Sequence, residues 1–193
     1  MNCDDMEFPA KAELRRLGIA GRDGVSPADR AEFDRRITEA VLNTPAFIKA
    51  RVVMVYRHFG GEVNVDAVAD AAQARQKTVV YPYCADKTTI LALQPHGPDS
   101  WIRGSFGIWA PLPEKSEVID PAAIDAVILP CAAFDDHGNR IGMGAGYYDR
   151  FLPKCKNATT ILVAYEAQRV TGIVPEPTDI PADFIVTENT YIP

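Results

Sequence analysis

Residues 52–81, VVMVYRHFGGEVNVDAVADAAQARQKTVVY, decide the fold. Val52-Val-Met-Val-Tyr56 and Thr78-Val-Val-Tyr81 are short apolar runs rich in β-branched residues, the composition of strands buried on both faces. Between them Val65, Val68, Ala69 and Ala72 recur at helical spacing, with Asn64 as cap, so a helix is expected over Val65 to Gln76. Strand, helix, strand in that order implies a right-handed crossover that lays the two strands side by side and parallel. Working upstream, Ser26-Pro27-Ala28-Asp29 has a cap residue, a proline at the first helical position and an acid in the first turn. Phe33, Ile37, Ala40 and Val41 then carry that helix to about Asn43. Downstream, Ile90-Leu-Ala-Leu93, Ala126-Val-Ile-Leu-Pro130, Ile161-Leu-Val-Ala164 and Asp183-Phe-Ile-Val-Thr187 read as further strands. The expected class is α/β: an open, mostly parallel central sheet with helices on both faces, forming a single compact domain over residues 1–193.

Composition agrees. The 193 residues suffice for one full-sized core and are few for two. With 47% hydrophobic and 24% charged residues the chain is that of a folded globular protein. A net charge of −6 argues against nucleic acid as a partner, since backbone binding rests on clustered Lys and Arg. Cysteines at 3, 84, 131 and 155 form neither a zinc pattern nor a disulfide framework, which fits reduced thiols in a cytoplasm. No apolar run approaches the roughly 20 residues that span a bilayer, and the N-terminus is acidic where a signal peptide would be apolar. A cytoplasmic protein without membrane attachment is therefore expected.

The most unusual stretch is Gly138-Asn-Arg-Ile-Gly-Met-Gly-Ala-Gly-Tyr-Tyr-Asp-Arg-Phe-Leu152. Glycines alternate at 142, 144 and 146, and Tyr147 to Leu152 can begin a helix that Pro153 closes or kinks. A glycine loop feeding a helix N-terminus lets backbone N–H groups and the helix dipole face an anion. It is neither a Walker loop nor the dinucleotide fingerprint, whose spacings differ. Arg140 can neutralise phosphate, and Asp149 can hold a divalent cation that bridges phosphates. Near the N-terminus, Lys11-Ala-Glu-Leu-Arg-Arg16 can form a short basic helix, about residues 8–20, in a polar stretch that Gly18, Gly21 and Gly24 break up. Lys11 and Arg15, four apart, share one of its faces.

Asn139 to Leu152 resembles the signature of the 5-formyltetrahydrofolate cyclo-ligase family. The resemblance extends from Lys11 to Thr187, and is specific at the glycine loop, the N-terminal basic pair and the closing Asp183. It implies ATP-dependent cyclisation of 5-formyltetrahydrofolate, a reduced folate, to 5,10-methenyltetrahydrofolate by a monomer or homodimer, with release of ADP and phosphate. It assigns ATP to Lys11, Arg15, Arg140 and the loop Ile141, Gly142, Met143, Gly144, Ala145, Gly146, Tyr147 and Tyr148. Of these, Lys11, Arg15 and Arg140 would neutralise the transferring phosphate. Mg²⁺ falls to Asp149 and Asp183. The loop after the first strand would supply Arg57 and Glu62 to the folate, joined by Tyr83, Trp109, Met143 and Tyr147. Trp101, Phe106 and Trp109 are candidates for an apolar wall; read alone, they equally pack a small core, as Tyr83 equally packs the sheet rim.

Three departures from the family pattern stand out. Met143 occupies a place where Arg or Tyr is frequent, Ala145 one where Lys or Gly is, and Ala110 one where Glu is common. The implied chemistry requires no protein nucleophile, because the formyl oxygen and N10 both belong to the substrate. Alternatives left open are a divergent member that binds a folate or phosphorylated ligand without cyclising it, and a sugar-phosphate or coenzyme-A enzyme on a similar scaffold.

Overall fold

The computed structural model describes residues 10–104 and 107–193. Eight strands form one sheet: β1 (Val52–Met54), β2 (Thr78–Cys84), β3 (Ile90–Pro95), β6 (Ser116–Ile119), β7 (Ala126–Leu129), β10 (Thr159–Val163), β11 (Phe184–Val186) and β12 (Tyr191–Ile192). Their order is β12-β11-β10-β7-β1-β2-β3-β6. The run from β11 to β2 is parallel, and β3, β6 and β12 join antiparallel. Two hairpins stand outside this sheet, β4 (Trp101–Arg103) with β5 (Trp109–Pro111) and β8 (Ala133–Phe134) with β9 (Arg140–Ile141). The open, mostly parallel α/β architecture expected from residues 52–81 is the one observed.

Helices α2 (Pro27–Leu42), α3 (Pro45–Lys49) and α4 (Asp66–Ala74) cover one face, burying Ile37, Val41, Phe47, Val68 and Ala72 against Val53, Val55 and Ile128. Helix α5 (Tyr147–Phe151) covers the other, where Phe151 and Leu152 pack with Met54, Leu129 and Leu162. The Ser26 hydroxyl caps α2 by accepting from Asp29 N at 3.2 Å. Asn64 is not the residue directly before α4; that is Val65, and the Asn64 side chain accepts from Asp66 N at 2.9 Å.

Three local expectations are corrected. Pro82 does not end β2, which continues to Cys84. Beyond Val80 the strand pairs, among the described residues, only with β3, so the missing N–H of Pro82 leaves no gap in a ladder on the other side. The aromatic stretch from Trp101 is a hairpin rather than irregular chain, although Ser105 and Phe106 lie outside the described residues. Finally, Gly18 and Gly21 do not interrupt the N-terminal helix: α1 runs Lys11–Gly24. A Cβ on Gly18 would collide with the Ala132 carbonyl, and one on Gly21 with the Ala167 carbonyl. These glycines let α1 lie against the backbone, which is how the basic helix reaches the rest of the site.

Candidate active site

The glycine loop owes its shape to two left-handed residues, Gly144 (φ 99°) and Gly146 (φ 63°), the second directly preceding α5. Helix α1 packs on the β8–β9 hairpin that precedes the loop, with Leu14 buried against Ala133 and Ile141. That packing brings Arg15 to the loop, where its Nε donates to Gly142 O at 2.7 Å. The result is a cavity of about 620 Å³ lined by Lys11, Arg15, Arg140, Arg150, the loop glycines, Asp149 and the strap Glu176–Ile180.

Two of the four cations are paired. Arg140, only 4% exposed, donates from Nη2 to Asp149 Oδ1 at 2.7 Å and lies 5.9 Å from the Tyr148 ring. Its Nε is buried with no acceptor among the described residues. Lys11 Nζ sits 2.6 Å from Asp179 Oδ2 and 2.9 Å from Glu176 Oε1. Burial pulls the Lys11 ammonium down, but the two carboxylates outweigh it and leave Lys11 above the ordinary lysine value. Burial likewise works against Asp179, yet Lys11, the Glu176 N–H and the charge of Arg140 hold it below the usual carboxylate range. Arg15 and Arg150 make no ion pair among the described residues.

Tyr148 links this cavity to the loop after β1. Burial raises its hydroxyl far above the usual tyrosine value, the Glu62 charge adds to the rise and Arg140 opposes it. Glu62 accepts from Phe59 N at 2.9 Å, and burial pushes its carboxyl up against the lowering effect of that bond, Arg22 and His58. Arg57 is occupied by Asp66 at 2.9 Å and lies 5.1 Å from the Trp101 ring, which in turn meets Tyr81 edge to face.

Other expected site residues stand apart from the cavity. Met143 is 65% exposed, and Trp109, 41% exposed, lies 4.6 Å from the Arg103 guanidinium rather than in an apolar wall. Tyr83 is half-buried on β2. Asp183 does not line the cavity with Asp149. Its Oδ2 accepts from Thr160 N at 2.8 Å and from the Thr160 hydroxyl at 2.7 Å, tying β10 to the start of β11. The other aspartate lining the cavity is Asp179, with Glu176, Thr178 and Arg150. Sequence reading passed over Glu176, Thr178 and Asp179 because the strap is proline-rich loop, without periodicity. Their one signal is the carboxylate pair Glu176 and Asp179, complementary to the basic face of α1. Among the described residues the cysteines offer no activated thiol: burial lifts Cys131 to about 12 and Cys155 to about 11, and raises Cys84 as well.

Fold and site together define an open α/β protein with a cation-lined, glycine-loop cavity. The chain belongs to the 5-formyltetrahydrofolate cyclo-ligase family, an enzyme family whose model matches residues 7–188. A curated relative from Haemophilus influenzae, named 5-formyltetrahydrofolate cyclo-ligase, is 28% identical over 177 residues, covering 89% of this chain and 91% of that one. The Escherichia coli K12 protein of the same name is 27% identical, covering 86% and 93%. The NMR structure of Aquifex aeolicus 5,10-methenyltetrahydrofolate synthetase superposes with a TM-score of 0.82 at 30% identity, covering 94% of this chain and 91% of that chain. A second synthetase structure, from Mycoplasma pneumoniae, matches in fold with a TM-score of 0.76 at 23% identity, covering 93% and 99%. Among the described residues no helix is long and apolar enough to cross a membrane.

Proposed function

We propose that the protein uses ATP to cyclise 5-formyltetrahydrofolate to 5,10-methenyltetrahydrofolate, releasing ADP and phosphate. The observation that carries this reading is the delivery of Lys11 and Arg15 from α1 to the glycine loop, with Arg15 bonded to Gly142 O at 2.7 Å in a cavity that also holds Arg140. A formyl oxygen is a poor leaving group. Once it has attacked the γ-phosphorus and taken the phosphoryl group, N10 attacks the formyl carbon, phosphate departs with that oxygen, and the N10 proton is released. Phosphoryl transfer of this kind depends on alignment and on neutralising charge over the phosphate oxygens.

The residues fit a magnesium–phosphate ligand. Gly142 leaves open space where a side chain would stand, and Gly144 and Gly146 hold backbone conformations that other residues rarely adopt. Mg²⁺ retains waters and takes one or two carboxylates alongside substrate phosphates, and Asp149 and Asp179 are the carboxylates lining the same cavity. That geometry favours Asp179 over Asp183 as the partner of Asp149. Held by Asp149 and Asp179, Mg²⁺ would offset the negative charge of the phosphates. Arg140 and Lys11 then exchange carboxylate partners for phosphate, Arg15 fixes the loop carbonyl at Gly142, and half-buried Glu62 offers a carboxyl to the pterin.

The test is an absorbance assay for methenyltetrahydrofolate with purified protein, 5-formyltetrahydrofolate, ATP and Mg²⁺, beside Asp149→Ala, Asp179→Asn and Arg140→Ala. Product from wild type, lost in all three variants, is the expected result. Folded wild-type protein that binds folate but forms no product would replace this reading with that of a non-cyclising binder.

A further inference from the structure

The β2–β3 connection, residues 85–89, is a knotted turn. Asp86 Oδ1 accepts from Thr88 N at 2.7 Å, from the Thr88 hydroxyl at 2.8 Å and from Thr89 N at 2.8 Å, while Ala85 N donates to Thr89 O at 3.0 Å. These bonds hold the Asp86 carboxyl down at about 2, so the knot persists across the neutral range. Two side chains of α5 grip this turn by its backbone. The Tyr147 hydroxyl donates to Asp86 O at 2.9 Å and Arg150 Nε donates to Thr88 O at 2.9 Å. The same Arg150 guanidinium donates from Nη2 to Ala145 O at 2.7 Å and lies 5.6 Å from the Tyr147 ring. Its Nη1 stands 2.9 Å from where a Cβ on Gly146 would be, so the guanidinium fills the space that this glycine leaves.

We propose that Arg150 is a positioning residue: with Tyr147 it fastens the glycine loop to the 85–89 turn, so that ligand binding beside the C-terminal end of β2 and phosphate binding at the loop reinforce one another. Four observations converge on it. Arg150 lines the cavity, makes no ion pair among the described residues, and spends its fork on two carbonyls, one from the loop and one from the turn. The turn directly follows β2, whose last residues include Tyr83 and Cys84. A planar guanidinium spans two such acceptors with fixed geometry, which an ammonium does not reproduce. The coupling part of the proposal rests on the ATP and folate reading above; the mechanical part does not.

The experiment has two arms. In the first, equilibrium affinity for a non-hydrolysable ATP analogue with Mg²⁺, which stands in for ATP without turnover, is measured with and without 5-formyltetrahydrofolate for wild type, Arg150→Met, Arg150→Lys and Tyr147→Phe. Folate tightens ATP binding to wild type by about fivefold or more, the lower end of ordinary coupling between sites. In Arg150→Met the effect falls to within about twofold on the same scale, and Arg150→Lys and Tyr147→Phe lie between. An unchanged coupling in Arg150→Met, or none in wild type, overturns the proposal. The second arm follows backbone hydrogen exchange over residues 142–146 in the ligand-free protein. Asp86→Ala, outside the cavity, loosens the turn, and exchange at the loop rises together with exchange at 87–89. If exchange rises at 87–89 alone, the clasp does not exist, whatever the enzyme catalyses. Wild type that binds no ATP removes the functional reading, and the exchange result still decides the clasp.

Discussion

Removing either half of the Arg140–Asp149 pair is expected to have sharply unequal effects on stability, and the inequality follows from exposure. Asp149→Ala leaves the guanidinium of Arg140, 4% exposed, without its carboxylate; its Nε already lacks an acceptor among the described residues. Stranding a fully buried charge costs about 3–5 kcal/mol. Because the Asp179 carboxylate, which feels the Arg140 charge, and the open cavity lie near, we place the cost at the low end, about 3 kcal/mol. Arg140→Met strands Asp149 instead, which is 23% exposed and can be hydrated. Methionine also keeps much of the apolar stem against Tyr148 and removes an unsatisfied donor, so the cost is about 1 kcal/mol. For a chain of this size those values correspond to drops in Tm of roughly 6–12 °C and 2–4 °C. Urea unfolding of the two single variants and the double variant measures them. The double variant should be more stable than Asp149→Ala alone, since it no longer buries an unpaired charge. Equal losses in the single variants, or a greater loss in Arg140→Met, would refute the reasoning. Activity cannot replace this assay, because both variants are expected to lose it.

Two further outcomes are expected. Gly18→Val should lower stability by about 2 kcal/mol or more, since its Cβ meets the Ala132 carbonyl and the side chain of Ala133, and α1 must move away; thermal unfolding checks this, and an unchanged Tm would mean that α1 does not pack there. Glu62 supplies a pH test. Burial raises its folded pKa above the unfolded value, so the folded state holds the proton more tightly, and the stability this gives is present below the unfolded value and lost as pH rises through the folded one. Glu62→Gln should therefore flatten the fall in urea midpoint just above the ordinary carboxylate range while weakening folate binding; a parallel fall in both proteins would contradict it.

Most of the architecture was legible in short stretches. Alternating apolar runs and caps act within a few residues of one another, so the β1–α4–β2 unit and the start of α2 could be read from residues 52–81 and Ser26. The limits of such reading show at Pro82 and at Gly18 and Gly21. Each residue is unfavourable to its element taken alone, and each is accommodated by what lies beside it: an unpaired strand side in one case, a backbone carbonyl in the other two. The aromatic stretch around Trp109 was read as irregular for the opposite reason, since its pairing partner, not its composition, makes it a hairpin.

The candidate site divides along the same line. By itself the sequence determined the glycine loop, with φ values open to glycine at 144 and 146, and the cations Lys11, Arg15 and Arg140, because backbone freedom and charge belong to residue types. Only the tertiary structure decided which partners those charges meet. Lys11 reaches Asp179 across 168 residues and Arg15 reaches Gly142 across 127. Asp183 is drawn to Thr160 by the register of β10 and β11, while Asp179, four residues earlier, lines the cavity. An ion pair falls off with distance in space and is indifferent to distance along the chain, so its partner exists only once packing has set where the chain returns.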